Sequence, residues 1–272
     1  MGYNTIPLDD FSGLTPNEMH ELLYHPFERI SPVCLRDALD DTILNEVPLF
    51  LLAEEYLKIL AREKQIKLTP LGFLPKKIMV ELYDKRILPD EHIEAGIFKL
   101  NREQDCISIM SMRYTMELGG LVKKQNGNLS LTKKGIMFAE SQNRLQFFKL
   151  FFQSFTEKFS WGYNDGYTEA PIGQFGWGFS LYLLHKLGNK LQNAEFYAQK
   201  YITAFPQWMD YFESDKILSA KEEYTHCYGI RVFERFLLWF GFVKVERKNI
   251  FTDLKADTFS PTDVINKIFV FG

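Results

Sequence analysis

Apolar residues recur at helical spacing along most of this chain and alternate strictly over only two short stretches. Thr15-Pro16-Asn17-Glu18 has the marks of a helix start: a hydroxyl at the cap, proline in the first turn, and a glutamate placed to complete a capping box. Pro26 closes that helix just after Tyr24, and Ser31-Pro32 opens another short one. From Pro48, Leu49, Leu52, Tyr56, Ile59 and Leu60 form the buried stripe of a longer helix, and Ile78, Met79, Leu82 and Tyr83 do the same over 75–84. A helical stretch from Gln104 to Leu118 stops at Gly119-Gly120, where glycine accepts the left-handed conformation of a helix end. Thr132 caps a long helix expected to reach Trp161, with Phe148, Phe151, Phe152, Phe155 and Phe159 along one flank. Further helices are expected over 177–187, 193–204, 207–213 and 221–240, and Ser260-Pro261-Thr262-Asp263 starts a last one.

The alternating stretches read as hairpins. Asn126-Gly127 is the strongest two-residue hairpin signal, because a type I′ turn needs positive φ at both positions. Centred there, the turn pairs Val122 with Leu131 and Lys124 with Leu129 over a hairpin near 121–131. A second small hairpin near 242–260 places Val243 and Val245 against the neighbourhood of Phe259. The predicted fold is α+β and predominantly α-helical. Because Gly162 to Phe175 is rich in glycine, proline and polar residues, it reads as a linker. The expected division is a domain over 1–161, a linker over 162–175 and a second domain over 176–272.

Two parts of the chain share an order of elements: a helix, then Gly120-Leu121-Val122-Lys123 or Gly241-Phe242-Val243-Lys244, a hairpin, and a hydroxyl residue capping a new helix, Thr132 or Ser260. Ile66-Lys67-Leu68-Thr69 followed by Gly72 is similar to Leu129-Ser130-Leu131-Thr132 followed by Gly135. This order resembles the winged-helix fold, better over about 70–150 and more loosely at the end, where 19 residues separate Gly241 from Ser260 against 12 from Gly120 to Thr132. The resemblance implies a winged-helix-like N-terminal half, with the helix before the wing in a DNA major groove and wing lysines on phosphates. Separately, Phe11-Ser12-Gly13-Leu14-Thr15-Pro16-Asn17-Glu18-Met19-His20-Glu21-Leu22-Leu23-Tyr24 and Leu68-Thr69-Pro70-Leu71-Gly72-Phe73-Leu74-Pro75 resemble segments of bacterial proteins related to a plasmid open-reading-frame family. That likeness covers the first half of the chain. It implies a bacterial cytoplasmic origin and carries over no activity and no catalytic residues.

Composition refines the picture mainly through charge. The 272 residues carry 32 basic and 35 acidic side chains, a net of -3, so any nucleic-acid surface must be local. The charge is striped: residues 1–57 hold two arginines against eleven carboxylates, whereas 58–86 and 99–149 each carry a net of +5. Cys34, Cys106 and Cys227 are an odd, widely spaced set that fits reduced thiols rather than a disulfide framework. The longest apolar run, Pro48 to Leu60, is broken by Glu54, Glu55 and Lys58, too soon for a membrane span. The cytoplasm is the expected compartment, and no membrane partner is expected.

Candidate chemistry is sparse. His20, His25, His92, His185 and His226 include no pair at the i, i+4 spacing of a metal site, and there is no Cys-x-x-Cys. Gly173-Gln174-Phe175-Gly176-Trp177-Gly178 has the wrong gaps for a phosphate loop. No catalytic, cofactor or metal residue is therefore assigned. If the first hairpin is a wing, Lys123, Lys124, Asn126, Lys133 and Lys134 are placed for phosphates; the helix before it offers Ser108, Ser111 and Arg113, although Arg113 lies about 140° from Ser108 at 100° per residue. Thirteen of the 36 residues from Phe147 to Tyr182 are aromatic, and Trp161, Tyr163, Tyr167 and Trp177 beside the linker are the candidates for an exposed interaction surface. The leading expectation is a protein-interaction or assembly module with a protein partner or a second copy. The alternative is a DNA-binding winged-helix regulator, and an enzyme assembled across the fold comes third.

Overall fold

The computed structural model describes residues 3–141, 143–213, 218–247 and 257–272. It is an α+β fold, predominantly helical, with small antiparallel sheets. In chain order the elements are α1 (Pro16–Tyr24), β1 (Val33–Leu35), α2 (Pro48–Glu63), β2 (Ile66–Lys67), α3 (Lys76–Tyr83), α4 (Glu91–Glu94), α5 (Ile107–Leu118), β3 (Val122–Gln125) and β4 (Asn128–Leu131). There follow α6 (Lys133–Glu140), α7 (Arg144–Glu157), α8 (Trp177–Leu187), α9 (Ala194–Ala204), α10 (Ala220–Tyr228), β5 (Val243–Glu246), β6 (Thr258–Pro261), α11 (Asp263–Ile268) and β7 (Phe269–Phe271). Helix α10 continues as a π-helix over Gly229–Leu237.

The chain divides into two compact units, one of residues 40–159 and one of residues 1–39 with 160–272. The first is an insertion within the sequence of the second. This differs from a division at 162–175, and the reason is a buried arginine. Arg231 bonds the Asp165 carboxylate from Nε (2.6 Å) and donates to the carbonyls of Thr168 (2.7 Å) and Ala170 (2.6 Å). Those bonds fold the glycine- and proline-rich stretch into its unit, with Ala170 and Ile172 buried, instead of leaving it as a spacer.

In the inserted unit, α2 and α7 bury the stripes that helical spacing marks out, including Leu49, Leu52, Tyr56, Phe148, Phe151, Phe152 and Phe155. The hairpin forms in the expected register, Val122 opposite Leu131 and Lys124 opposite Leu129. Its turn residues Asn126 and Gly127 have φ of 51° and 71°. Strand β2 joins the outer side of β4, Ile66 opposite Leu129, so the sheet order is β2-β4-β3. The long helix expected from Thr132 to Trp161 is two helices. Ser141 is extended (φ -90°, ψ 154°), and the Asn143 side chain accepts the Gln146 N–H at 3.1 Å to start α7 afresh. The stretch from Gln104 is likewise broken, since the extended Cys106 (φ -127°) separates a 3₁₀ turn at Glu103–Asp105 from α5.

In the flanking unit, Thr15 and Glu18 complete the expected capping box of α1, with bonds of 2.7 and 3.1 Å. The helix expected from Ser31-Pro32 is instead strand β1. Its β-prone Val33, Cys34 and Leu35 pair with Phe271, Val270 and Phe269 of β7, a partner 236 residues away that local pattern cannot reveal. Helix α1 packs on α8. The second hairpin pairs Val243 with Pro261 and Val245 with Phe259, and the residues joining its strands lie outside the described set. The hydroxyl residue at the start of α11 is Thr262 rather than Ser260, because Ser260 and Pro261 still belong to β6.

The two units repeat one plan. In the inserted unit the order is α2, β2, α3, the single-turn α4, α5, β3, β4; in the flanking unit it is α8, a bridge at Gln192, α9, α10, β5, β6. Gln192 pairs with Phe259 of β6 as Ile66 pairs with Leu129 of β4, each adding a short edge to the second hairpin strand. The joints agree atom by atom. Gly120 and Gly241 both have φ of +70°, a conformation that favours glycine. The next N–H returns five residues, Leu121 to Met116 O (3.0 Å) and Phe242 to Leu237 O (2.8 Å). Thr132 N–H reaches Leu121 O (3.0 Å), and Thr262 N–H reaches Phe242 O (2.9 Å). The two threonine hydroxyls donate to the glycine carbonyls, Thr132 to Gly120 at 2.7 Å and Thr262 to Gly241 at 2.6 Å.

Candidate functional site

The first hairpin gathers the exposed cations of the inserted unit. Because opposed residues share a face of an antiparallel pair, Lys123 with Ser130, and Gln125 and Lys67 with Asn128, all lie on one side of the sheet. Lys124, on the other side, leans along the loop at Gly72. Lys133 and Lys134 begin α6 immediately after β4, and Lys64 closes α2 immediately before β2. All six lysines are exposed, and none has a carboxylate within ion-pair distance among the described residues. Elsewhere in the unit the arginines are committed: Arg62 to Glu63 and Glu81, Arg86 to Glu94, Arg144 to Glu54. Of the residues singled out for phosphates, Lys123, Lys124, Asn126, Lys133 and Lys134 are thus brought together at the surface, joined by Lys64 and Lys67, which hairpin logic alone misses.

The helix before the hairpin does not share that surface. Ser108, Ser111 and Arg113 are buried, Arg113 to 1% exposure, which removes all three from any DNA-facing set. Packing explains it. Helix α5 is in contact with α2, α3, α7 and β3, which cover the flanks that carry Ser108, Ser111 and Arg113 and leave Leu118 at its end exposed. Its small polar residues turn inward: the Ser108 hydroxyl meets Cys106 Sγ at 3.4 Å, and the Thr115 hydroxyl donates to Ser111 O at 2.8 Å. Arg113 is clamped between carboxylates, donating from Nε to Glu103 and from Nη1 to Glu117, both at 2.5 Å. Glu103 is wholly buried and accepts the Leu74 N–H at 2.7 Å with its other oxygen. Burial pushes the Glu117 carboxyl above its ordinary range, even against the pull of Arg113. The Arg113–Glu117 pair has the i, i+4 spacing readable in sequence; Glu103 depends on the 3₁₀ turn and is not.

The aromatic candidates separate as well. Trp161 and Trp177 are core residues, at 2% and 4% exposure, each in ring contact with Phe236. Tyr167 is half-buried and Tyr163 is exposed, so no continuous aromatic platform forms from these four. Cys227 beside them is buried, and burial pushes its thiol up to about 12, which leaves little thiolate for nucleophilic work near neutrality.

An apolar surface appears where pattern reading places none. Helix α6 rides close over Leu121, because a Cβ at Gly135 would run into the Leu121 carbonyl oxygen. Phe138 stacks on Phe147 with centroids 5.5 Å apart. The other large apolar side chains of this helix, Ile136 and Met137, are 45% and 49% exposed. The helix therefore carries an apolar pair next to Lys133 and Lys134.

No family model, no curated protein and no solved structure matches this chain. Among the described residues no helix is long and apolar enough to cross a membrane.

Proposed function

We propose that this chain is a binding protein built from two winged-helix-like units, and that its inserted unit engages a protein partner through α6 and the adjoining hairpin. The observation that carries this reading is the inversion of surfaces: the helix that would read bases is buried and clamped by Glu103 and Glu117, while α6 leaves Ile136 and Met137 in solvent beside unpaired lysines. Exposed apolar residues flanked by Lys133 and Lys134 on one side and by Glu140 on the other suit a protein segment with apolar anchors and complementary charges. The matched joints at Gly120 and Gly241 support the winged-helix-like reading of both units. A bacterial cytoplasmic setting accompanies the proposal, supported by three free cysteines. The test is a photo-crosslinking residue at position 137, with the same residue at exposed Tyr211 as control. The expected result is a discrete adduct at 137 alone that Lys133→Glu with Lys134→Glu abolishes. Equal labelling at both positions sets the reading aside.

One observation favours a second reading, in which the hairpin holds a nucleic-acid backbone without reading sequence. Six lysines around one small sheet lack carboxylate partners among the described residues, as phosphate contacts require. Affinity for duplex DNA is then expected to fall steeply with salt, and Lys123→Ala with Lys124→Ala to flatten the log–log slope by about 2. Absence of binding at low salt removes this reading.

A further inference from the structure

A cleft of 720 Å³ opens within the inserted unit, on the face of α2 that carries Leu51, Glu54, Glu55 and Lys58. These residues recur at i, i+3, i+4 and i+7, so one side of a single helix supplies an apolar residue, two carboxylates and an ammonium. Ile87 beyond α3, Phe138 of α6 and Arg144 of α7 complete the walls.

The charges in the cleft are not equally committed. Arg144 takes both oxygens of Glu54, at 2.7 and 2.8 Å, and spends its other arm on the Asp41 carbonyl at 2.9 Å. That pair is closed. Glu55 instead serves two ammonium groups, Lys58 at 2.6 Å and Lys85 at 3.0 Å. Two cations share one anion, and each ammonium has three N–H donors of which one is spent on Glu55. The neighbouring Asn143 uses its side-chain oxygen to cap α7, which leaves its amide N–H groups as donors toward the same cleft. With the Asp41 carboxylate also in the lining, three carboxylates balance three cations, and the spare N–H donors are those of Lys58, Lys85 and Asn143, bordering the half-buried Leu51, Ile87 and Phe138.

We propose that this cleft binds a small organic anion, its carboxylate or phosphate held by Lys58 and Lys85 and its apolar body lying over Leu51, Ile87 and Phe138. The volume falls in the range of about 300 to 1,000 Å³ typical of small-molecule sites. An anion there joins the pair of ammonium groups without breaking the Glu54–Arg144 bond that ties α2 to α7.

Calorimetric titration of the full chain with phenyl phosphate, benzoate, inorganic phosphate and benzyl alcohol tests the assignment. At least one aromatic anion is expected to bind at least about tenfold more tightly than inorganic phosphate or benzyl alcohol, the size of one charge-assisted contact or a buried ring. Whichever of phenyl phosphate and benzoate binds more tightly identifies the anionic group. Lys58→Met with Lys85→Met is expected to weaken that binding at least tenfold, or about 1.4 kcal/mol. Lys58→Arg with Lys85→Arg is expected to restore it. Both lysines are exposed, at 70% and 47%, so these variants keep the fold, and an unchanged unfolding midpoint checks that. Three results overturn the proposal: no heat with either aromatic anion at millimolar concentration, undiminished binding in the double methionine variant, or inorganic phosphate binding as tightly as the aromatic anions.

Discussion

Arg113 spends its charge inside the protein, between Glu103 and Glu117. Removing one partner of such a cluster leaves a buried carboxylate uncompensated, so Arg113→Ala is expected to cost about 3–5 kcal/mol in urea unfolding. Glu117 adds a pH dependence of known sign. Its folded-state pKa is raised by burial, so the native state holds that proton more tightly than the unfolded chain. Stability from this group is fully present below the ordinary carboxylate value and is lost as pH rises from there through the folded value. Glu117→Gln removes the loss, and its unfolding midpoint is expected to gain on the parent between acid and neutral pH; a constant difference refutes this. Helical spacing correctly puts Arg113 away from the Ser108 flank. It does not disclose that both flanks are covered, because coverage comes from α2, α3, α7 and β3, which meet α5 from elsewhere in the sequence.

At the scale of elements, the two hairpins test whether matched joints do matched work. Thr132 and Thr262 each tie the end of a hairpin back to a left-handed glycine, and Thr132 also accepts the Gly135 N–H at 3.1 Å to cap α6. Thr132→Val is expected to cost about 1–2 kcal/mol, and Thr262→Val about 1 kcal/mol, because the second hydroxyl makes no cap bond. Equal costs argue that the cap is worth nothing here. The first hairpin was legible to its register, since Asn-Gly fixes the turn and alternation fixes the face. The edge strand at Gln192 was not, because one bridged residue has no alternation to read. The exposed lysines of that hairpin were legible as well. The exposed pair on α6 was not, since Ile136 and Met137 carry the ordinary signature of buried residues and only the close seat of Gly135 sets which side of the helix faces inward.

For the whole molecule, the discontinuous unit governs which pieces can stand alone. Residues 40–159 are continuous and contain their own sheet and core, so this fragment is expected to unfold cooperatively by itself. A fragment of residues 162–272 loses α1 from α8 and β1 from β7, and is expected to show no cooperative transition by circular dichroism. Composition reads 162–175 as a spacer because glycine and proline signal turns, and turns bound to a buried arginine are as fixed as helices.

The pairing of Val33–Leu35 with Phe269–Phe271 also sets an order of events on the ribosome. At synthesis rates of roughly 5–20 residues per second, the early strand waits about ten to fifty seconds for its mate, while all of 40–159 emerges and can already fold. During that interval β1 is open to chaperones, as is the apolar side of α1 until α8 emerges, and stalled nascent chains ending before residue 269 are expected to be cut by protease near residues 25–40 while the inserted unit resists.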